Sequence, residues 1–322
     1  MRVLITGGAG FIGSHLAEEC LGRGDEVWAL DDLSTGRREN VAHLEPEQGF
    51  HLKEGSILDT SAVLELTGTC DTIVHLAAAV GVKYIVENPF LSIQTNVRGT
   101  EVVLEMADKF RKPVLIASSS EVYGRQTKAP LAEDDDRVLG PTSVGRWSYA
   151  SAKALDEFLA LAYHRTRGLP AVAVRLFNVV GPRQTGTYGM VMPRFVSQAL
   201  AGEPITVFGD GSQTRTFSYV KEIAAALADL MACEAARGEV VNVGGTEEVS
   251  ILDLAGRVKE LTSSGSEIKM IPFEEVYGPD FEDMPRRLPS LEKAKRLIGF
   301  KPATTLDEMI SSVIEYAKGV GA

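Results

Sequence analysis

The sequence has few cysteines, and their arrangement excludes a disulfide framework. Its 322 residues include three, Cys20, Cys70 and Cys233, which lie far apart and form an odd number. Their spacing also lacks the close pairs that bind metal ions, so we expect no metal site. The three side chains are expected to be small apolar groups in a reducing compartment.

The sequence also lacks a long apolar segment and an excess of basic residues. No apolar run approaches the roughly 20 residues that span a bilayer, and the apolar stretch at the N-terminus is too short for a signal peptide. The 33 Lys and Arg residues against 44 Asp and Glu give a formal net charge of −11, which argues against nonspecific nucleic-acid binding. We therefore expect a cytoplasmic protein with no membrane or nucleic-acid partner, while a local basic groove for a phosphorylated small ligand stays open.

The order of apolar segments predicts an α/β fold. The composition, 44% hydrophobic and 24% charged, is that of a globular chain, and the length corresponds to about two domains. Short β-branched segments alternate with helical stretches such as residues 11–22, which is the pattern of a doubly wound parallel sheet covered on both faces. The predicted strands are Arg2–Thr6, Glu26–Leu30, Phe50–Lys53, Thr72–Leu76, Val114–Ser118, Ala171–Leu176 and Val240–Val243.

The composition changes after Pro182, where segments rich in Gly, Thr and Pro begin. We expect residues 1–180 plus about 224–250 to form a nucleotide-binding lobe. Residues of about 181–223 plus 251–322 would form a smaller C-terminal α/β substrate lobe. Segments 185–191 and 208–216 are predicted as loops, and 306–317 as an amphipathic helix.

A glycine-rich turn follows the first predicted strand and opens the first predicted helix. Gly7, Gly10 and Gly13 lie in the order that a dinucleotide-binding fingerprint requires. Glycine lets the backbone approach a pyrophosphate, which the free N–H groups of the helix N-terminus then bind. An ordinary glycine turn is the alternative, and the strand and helix on either side favour the dinucleotide.

Asp31 ends the second predicted strand, eighteen residues after Gly13. A carboxylate there accepts hydrogen bonds from the adenosine ribose and repels a 2′-phosphate, which favours NAD over NADP. Asp32 and Ser34 are candidate helpers. Arg37 and Arg38 are the opposing observation, because arginines in this loop are able to hold a 2′-phosphate.

A tyrosine and a lysine four residues apart, Tyr149 and Lys153, share one face of a predicted helix. An ammonium beside a phenol favours the phenolate, at about 1.4 kcal/mol for each pKa unit. Such a tyrosine removes a hydroxyl proton while hydride leaves the same carbon. Ser118, Ser119 and Ser120 end a predicted strand and supply a hydroxyl for the same substrate oxygen. A surface helix pair is the alternative.

Together these features resemble the extended short-chain dehydrogenase/reductase family of nucleotide-sugar enzymes, which has a Rossmann-type fold. The resemblance implies NAD as cofactor, a UDP-sugar as substrate and a homodimer. The segments that carry it are His75–Ala78, Ser119–Gly124, Tyr149–Lys153, Arg175–Asn178, Gly181–Arg183, Phe208–Arg215 and Pro285–Arg287.

The same resemblance assigns roles to individual residues. The catalytic residues would be Ser119, Tyr149 and Lys153, with Glu121 beside them. The substrate would contact Lys83, Ser120, Asn178, Arg183, Arg215 and Arg287. The cofactor would contact Gly7, Gly10, Phe11, Ile12, Gly13, Asp31, Asp32, Ser34, Ser56, Ile57, Leu76, Ala77, Ala78, Asn96, Tyr149, Lys153 and Phe177.

The resemblance leaves several reactions open after the shared oxidation at sugar C4. Segments 78–83 and 179–190 are closer to bacterial UDP-glucose and UDP-glucuronate 4-epimerases, so we expect a UDP-sugar 4-epimerase. In that reading Arg183 either clamps a substrate carboxylate or makes a loop-stabilising contact. The alternative is a UDP-glucuronate decarboxylase, which Glu121, the segment Arg146–Tyr149 and Arg215 favour. A 4,6-dehydratase is disfavoured because the family's Thr-Asp-Glu triplet is Ser119-Ser120-Glu121 here. A non-catalytic NAD sensor is a third alternative, which the presence of Tyr149 and Lys153 disfavours.

Overall fold

A seven-stranded parallel sheet with helices on both faces organises most of the chain. The computed structural model describes residues 1–187, 189–277, 284 and 286–320, without the side chains of residues 82, 83, 86 and 320. The strands are β1 Arg2–Thr6, β2 Glu26–Asp31, β3 Phe50–Glu54, β4 Thr72–His75, β5 Val114–Ser119, β6 Ala171–Leu176, β7 Val179–Val180, β8 Ile205–Phe208, β9 Thr214–Thr216, β10 Ser218–Tyr219, β11 Val240–Val243, β12 Glu248–Ser250 and β13 Ile268–Ile271. The helices are α1 Phe11–Gly22, α2 Thr60–Thr69, α3 Val82–Glu87, α4 Pro89–Ile93, α5 Gly99–Phe110, α6 Trp147–Arg167, α7 Val191–Ala201, α8 Val220–Ala232, α9 Ile251–Leu261, α10 Phe273–Tyr277, α11 Glu292–Ile298 and α12 Leu306–Val320.

The order of the strands creates one switch point at the centre of the sheet. The order is β3-β2-β1-β4-β5-β6-β11, so the chain moves outward in one direction from β1 and then in the other from β4. Leu4 of β1 lies opposite Trp28 of β2 and Ile73 of β4. Ligands bind outside the carboxyl ends of the strands at such a point, so this topology places the site beside Thr6 and His75. The predicted Rossmann-type sheet is confirmed.

Both faces of the sheet are buried, which explains why the strands are apolar throughout. Val3 and Ile5 of β1 belong to the core beneath α1 and α8, whereas Leu4 belongs to the core beneath α2, α5 and α6. Successive side chains of a strand point to opposite faces, so both sets must be apolar here. Each such side chain contributes about 2 kcal/mol by leaving water.

Apart from the cores on the two faces of the sheet, a separate apolar cluster, the second core, lies between α7, α9 and α12. Phe195, Leu254 and Ile310 are fully buried in it, together with Ile205 of β8. The two-lobe division of the chain remains a prediction. Helix α8 and Ala294 of α11 pack on the face of the sheet that α1 covers.

The cysteines and the lengths of the helices can also be compared with the sequence predictions. Cys20 and Cys70 are buried and Cys233 is partly buried, all as free thiols. Burial raises the pKa of the Cys20 and Cys70 thiols to about 12. Within the described ranges, no helix is both long and apolar enough to cross a membrane.

Candidate active site

A cavity of about 720 Å³ opens at the carboxyl ends of β1, β4 and β5. It extends from the glycine turn after β1 to the second core, where Met192 and Ile251 line it. Most of the side chains singled out from the sequence meet here. The predicted residues that line it are Gly7, Gly10, Phe11, Ile12, Gly13, Asp31, Asp32, Ser34, Ser56, Ile57, Leu76, Ala77, Ala78, Ser119, Ser120, Glu121, Tyr149, Lys153, Asn178, Arg215 and Arg287.

The glycine turn fits a dinucleotide because side chains are excluded from it. A Cβ atom on Gly7, whose φ is +72°, would lie 2.8 Å from the backbone nitrogen of Ala77. A Cβ atom on Gly13 would lie 2.1 Å from the carbonyl oxygen of Gly7. The turn therefore packs directly against the loop after β4, and Gly10 begins helix α1 at the wall of the cavity. The free N–H groups of that helix N-terminus are suited to a pyrophosphate.

Asp31 is held in place at the end of β2 by the backbone. Its two carboxylate oxygens accept hydrogen bonds from the N–H groups of Ala9 and Leu33, each at 2.9 Å. Burial raises the pKa of Asp31, and these N–H groups oppose that rise. The carboxylate is thus oriented at the cavity wall, where a ribose hydroxyl would meet it. Neither Arg37 nor Arg38 is among the described residues that line the cavity, and Arg38 contacts Glu45 at 2.9 Å.

Tyr149 and Lys153 lie on α6, and Ser119 ends β5 beside them. A hydrogen bond joins the Ser119 hydroxyl to the Tyr149 phenol. The pKa of Tyr149 is raised, by burial first and then by the Glu121 carboxylate, while the Ser119 hydrogen bond lowers it. The ammonium of Lys153 lies 3.3 Å from Asp156. Among the protein groups, burial and the carboxylates of Glu121 and Asp156 therefore raise the pKa of the phenol, and the predicted effect of the Lys153 ammonium on it stays a prediction.

Glu121 lies between two guanidinium groups in the cavity. Its Oε1 is 2.6 Å from Nη2 of Arg287, and its Oε2 is 3.6 Å from Nη2 of Arg146. Burial opposes ionisation of Glu121, but Arg287 and Arg146 keep its pKa below the ordinary value. Arg215 acts in the same direction. Three guanidinium groups around one carboxylate leave a net positive charge in this part of the cavity, which suits an anionic substrate.

The Glu121–Arg287 pair is held by contacts of the backbone on both sides. The Ser119 hydroxyl accepts a hydrogen bond from the N–H of Glu121 at 3.2 Å. On the other side, the backbone of Leu131 pairs with Leu288 and Ser290, the residues after Arg287, at 2.8 and 2.7 Å. The loop that follows Glu121 and the segment that carries Arg287 are therefore joined directly.

Arg194 and Phe273, which the sequence did not single out, line the far end of the cavity together with Phe208. The guanidinium carbon of Arg194 lies 3.7 Å from the centre of the Phe208 ring, and Phe273 lies nearby. Such a flat stack is suited to the face of a nucleobase. The local sequence around Arg194 carries no signal for this contact, because the contact depends on strand β8, which comes later in the chain.

Arg183 does not line the cavity, which corrects its predicted contact with the substrate. Its guanidinium contacts the Glu18 carboxylate and donates to the Ser14 hydroxyl at 3.2 Å, both on α1. Burial opposes ionisation of Glu18, but His15 and Arg183 lower its pKa to about 2. The side chain makes the loop-stabilising contact that was the alternative.

Two predicted cofactor contacts are also corrected. Phe177 is fully buried, with its ring 6.1 Å from that of Tyr123, and it does not line the cavity. The Asn96 amide accepts a hydrogen bond from the N–H of Ala79 at 2.7 Å and donates to its carbonyl at 3.1 Å. Asn96 therefore shapes the cavity wall without facing it. The side chain of Lys83 lies outside the described residues, as do Tyr188 and Pro285.

Comparisons with known proteins place the chain in a family. The family described as GDP-mannose 4,6 dehydratase matches residues 4–313. A UDP-N-acetyl-alpha-D-glucosaminuronate decarboxylase of Bacillus cytotoxicus is 43% identical over 99% of this chain and 98% of its own length. UDP-glucuronic acid decarboxylase 1 of Danio rerio is 36% identical over 98% of this chain and 72% of its own.

A solved structure shows the same architecture with the cofactor present. The UDP-glucuronic acid 4-epimerase of Bacillus cereus, in complex with UDP-glucuronic acid and NAD, superposes with a TM-score of 0.90. It is 28% identical and covers 99% of this chain and all of its own. NAD is the cofactor of this family, as the glycine turn and Asp31 predicted.

The predicted 4-epimerase activity is wrong, because the curated relatives, at 35–43% identity, are decarboxylases of UDP-linked uronic acids. The epimerase resembles this chain in fold at lower sequence identity. The chain belongs to the extended short-chain dehydrogenase/reductase family, in the group that includes nucleotide-sugar epimerases, dehydratases and decarboxylases.

Proposed function

We propose that this protein is an NAD-dependent decarboxylase of a UDP-linked hexuronate. The observation that carries the proposal is the Glu121 carboxylate between Arg287 and Arg146, in the same cavity as Tyr149 and Ser119. The cluster offers positive charge to a substrate carboxylate and places a fixed negative charge beside it. The names of the curated relatives support the same reaction.

The chemistry begins at C4 of the sugar. NAD, when bound, supplies the hydride acceptor and later the hydride donor for this carbon. Tyr149 takes the proton of the 4-hydroxyl group, and Ser119 hydrogen-bonds to the same oxygen. The resulting ketone lies β to the C6 carboxylate.

Loss of carbon dioxide follows from that relationship. The C5–C6 bond breaks, its electron pair moves into the C4–C5 enolate, and C6 leaves as carbon dioxide. A proton then adds at C5, the C4 ketone is reduced, and Tyr149 returns its proton to the C4 oxygen. Ser119 and Tyr149 stabilise the enolate oxygen by hydrogen bonding.

Glu121 favours the loss of carbon dioxide by electrostatics. Arg287 and Arg146 attract the substrate carboxylate into the cluster, and the Glu121 carboxylate opposes its charge there. When carbon dioxide leaves, the carboxylate charge passes into the enolate, whose oxygen accepts hydrogen bonds from Ser119 and Tyr149. An interaction that is unfavourable in the bound substrate and relieved in the transition state lowers the barrier.

The uridine diphosphate is expected to extend toward Arg215 and the Arg194–Phe208 stack. We expect UDP-N-acetylglucosaminuronate to be the preferred substrate over UDP-glucuronate, because the relative that acts on it is more similar to this chain. Homodimerisation and a cytoplasmic location remain predictions.

The test is to incubate the purified protein with each of the two UDP-hexuronates and to follow products by proton NMR and carbon dioxide release. The proposal predicts a UDP-linked pentose and carbon dioxide in equal amounts. Tyr149→Phe serves as the inactive control. A hexuronate inverted at C4 without carbon dioxide would contradict the proposal.

A further inference from the structure

A second buried carboxylate lies next to the cavity, and the reaction above gives it no role. Asp156 on α6 is fully buried, and its Oδ2 lies 3.3 Å from the ammonium of Lys153, which is itself 3% exposed. Residues 149, 153 and 156 are spaced by four and three, so the three side chains follow one face of the helix. Asp156 therefore contacts Lys153 from the side away from the first turn of α6, where Tyr149 lies.

The groups around Asp156 leave Lys153 as its counter-charge among the described residues. Its Oδ1 has no hydrogen-bond partner in the described part of the chain. The neutral hydroxyl of Thr100 lies within hydrogen-bonding reach of the carboxylate and helps to lower its pKa, and it also donates to the carbonyl of Asn96 at 2.7 Å. His75, which contacts the same hydroxyl at 3.0 Å, is neutral, because burial lowers its pKa to about 3.

The remaining charged groups nearby are already paired. Glu157, the next residue on α6, is 2.8 Å from Arg175 of β6, and the Ser118 hydroxyl donates to it at 2.5 Å. Glu121 is held by Arg287. Asp156 is thus the carboxylate that shares the charge of Lys153.

We propose that Asp156 is a positioning residue for the reaction, which holds the Lys153 ammonium beside Tyr149 and shares its positive charge with the phenol. The phenol must accept a proton when C4 is oxidised and return it when C4 is reduced. A lysine whose whole positive charge acted on the phenol would stabilise the phenolate. The phenolate is needed to accept the proton during oxidation, but its stabilisation opposes the return of the proton during reduction. The carboxylate of Asp156 balances the two.

Removing the charge of Asp156 should change the pKa of Tyr149 in a known direction. The pKa of Asp156 is raised by burial, and Lys153 opposes this rise, so the carboxylate depends on the lysine. Removing a negative charge lowers the pKa of each neighbouring acid and base. Without the Asp156 charge the pKa of Tyr149 should therefore fall, and the limb of the pH–activity profile that reports Tyr149 should move to lower pH.

The test compares Asp156→Asn with the wild-type protein. The pH dependence of kcat/KM for decarboxylation is measured for both, and the Tyr149 limb of the Asp156→Asn profile should move to lower pH by about half a unit or more. Asp229→Asn is the matched control, because Asp229 also pairs with a basic side chain, Arg23 at 2.7 Å, but lies on the exposed face of α8. Its profile should coincide with that of the wild-type protein.

A second readout does not need the activity. The ultraviolet absorbance of tyrosinate is titrated in the NAD-loaded protein, with Tyr149→Phe subtracted to isolate Tyr149. The Tyr149 transition should also move to lower pH in Asp156→Asn. If the asparagine variant does not fold, Asp156→Ser removes the same charge and gives the same two measurements.

The inference rests on the proposed function for its kinetic test alone. Profiles and titrations of Asp156→Asn that coincide with those of the wild-type protein, or that move to higher pH, would overturn it. If the wild-type protein releases no carbon dioxide, the proposed function fails, and the tyrosinate titration still decides the role of Asp156.

Discussion

Glu121→Gln keeps the size of the side chain and removes the negative charge that lies 2.6 Å from Arg287. Two unit charges about 4 Å apart attract by about 4 kcal/mol at an effective dielectric constant of about 20. A repulsion of about 3 kcal/mol between Glu121 and the substrate carboxylate, relieved in the transition state, corresponds to about 100-fold in rate.

The account assigns that effect to one step. In the Glu121→Gln variant the substrate carboxylate meets two guanidinium groups and no opposing charge, so the substrate should bind more tightly and lose carbon dioxide more slowly. Removing the Glu121 charge lowers the pKa of Tyr149, so oxidation at C4 should still proceed in this variant. We therefore expect a lower KM, a kcat for carbon dioxide release reduced by about 100-fold, and reduced nicotinamide that accumulates in a single turnover.

The assay follows nicotinamide absorbance and carbon dioxide release in the same single-turnover reaction. Glu248→Gln is the matched control, because Glu248 pairs with Arg286, the neighbour of Arg287, at 2.6 and 2.7 Å outside the cavity. Because that pair is exposed and lies outside the cavity, Glu248→Gln should release carbon dioxide at the wild-type rate. Release of carbon dioxide by Glu121→Gln at the wild-type rate would refute the reasoning.

Three further variants test separate parts of the structure. Gly13→Ala places a Cβ atom 2.1 Å from the carbonyl of Gly7. The affinity for NAD, measured by calorimetry, should fall by at least about 10-fold. An unchanged affinity would contradict the assignment of the glycine turn to NAD binding. A carboxylate with a lowered pKa stabilises the folded state above its unfolded pKa near 4.5, and this stabilisation is lost as the pH falls toward about 2. In Glu18→Gln the free energy of unfolding should therefore fall less steeply with pH across this range. Chemical denaturation across that range measures the difference, and an unchanged slope would count against the Arg183–Glu18 pair. Phe195→Ala should lower the free energy of unfolding by about 3–5 kcal/mol, since the side chain is fully buried in the second core; a loss below about 1 kcal/mol in denaturant titration would mean that this core is loosely packed.

The beginning of the sheet was predictable because its signals are local. Strand β1, the glycine turn and helix α1 have the predicted bounds, since each residue's role depends on neighbours within a few positions. The short strands β9 and β12 were missed: Thr214–Thr216 lies in a segment predicted as a loop, and three residues are too few to show a period of two. Their pairing joins residues more than thirty positions apart.

The site residues show the same limit. Tyr149, Ser119 and Asp31 line the cavity because strand ends and a helix face place them there. The prediction that Arg183 contacts the substrate is wrong, because its backbone adopts φ +71° and its side chain contacts Glu18, which is 165 residues away in sequence. Asp156 had no signal, because a carboxylate three residues after a lysine is common on exposed helices. Burial decides its role, and burial depends on the whole fold.

The most direct test of the central claim is to run the reaction in deuterium oxide with a UDP-hexuronate and to examine C5 of the product. Decarboxylation breaks the C5–C6 bond and adds a solvent proton at C5, so the account predicts a pentose with one deuterium at C5 and no C6. A product that keeps C6 and carries only its original hydrogen at C5 would contradict the account.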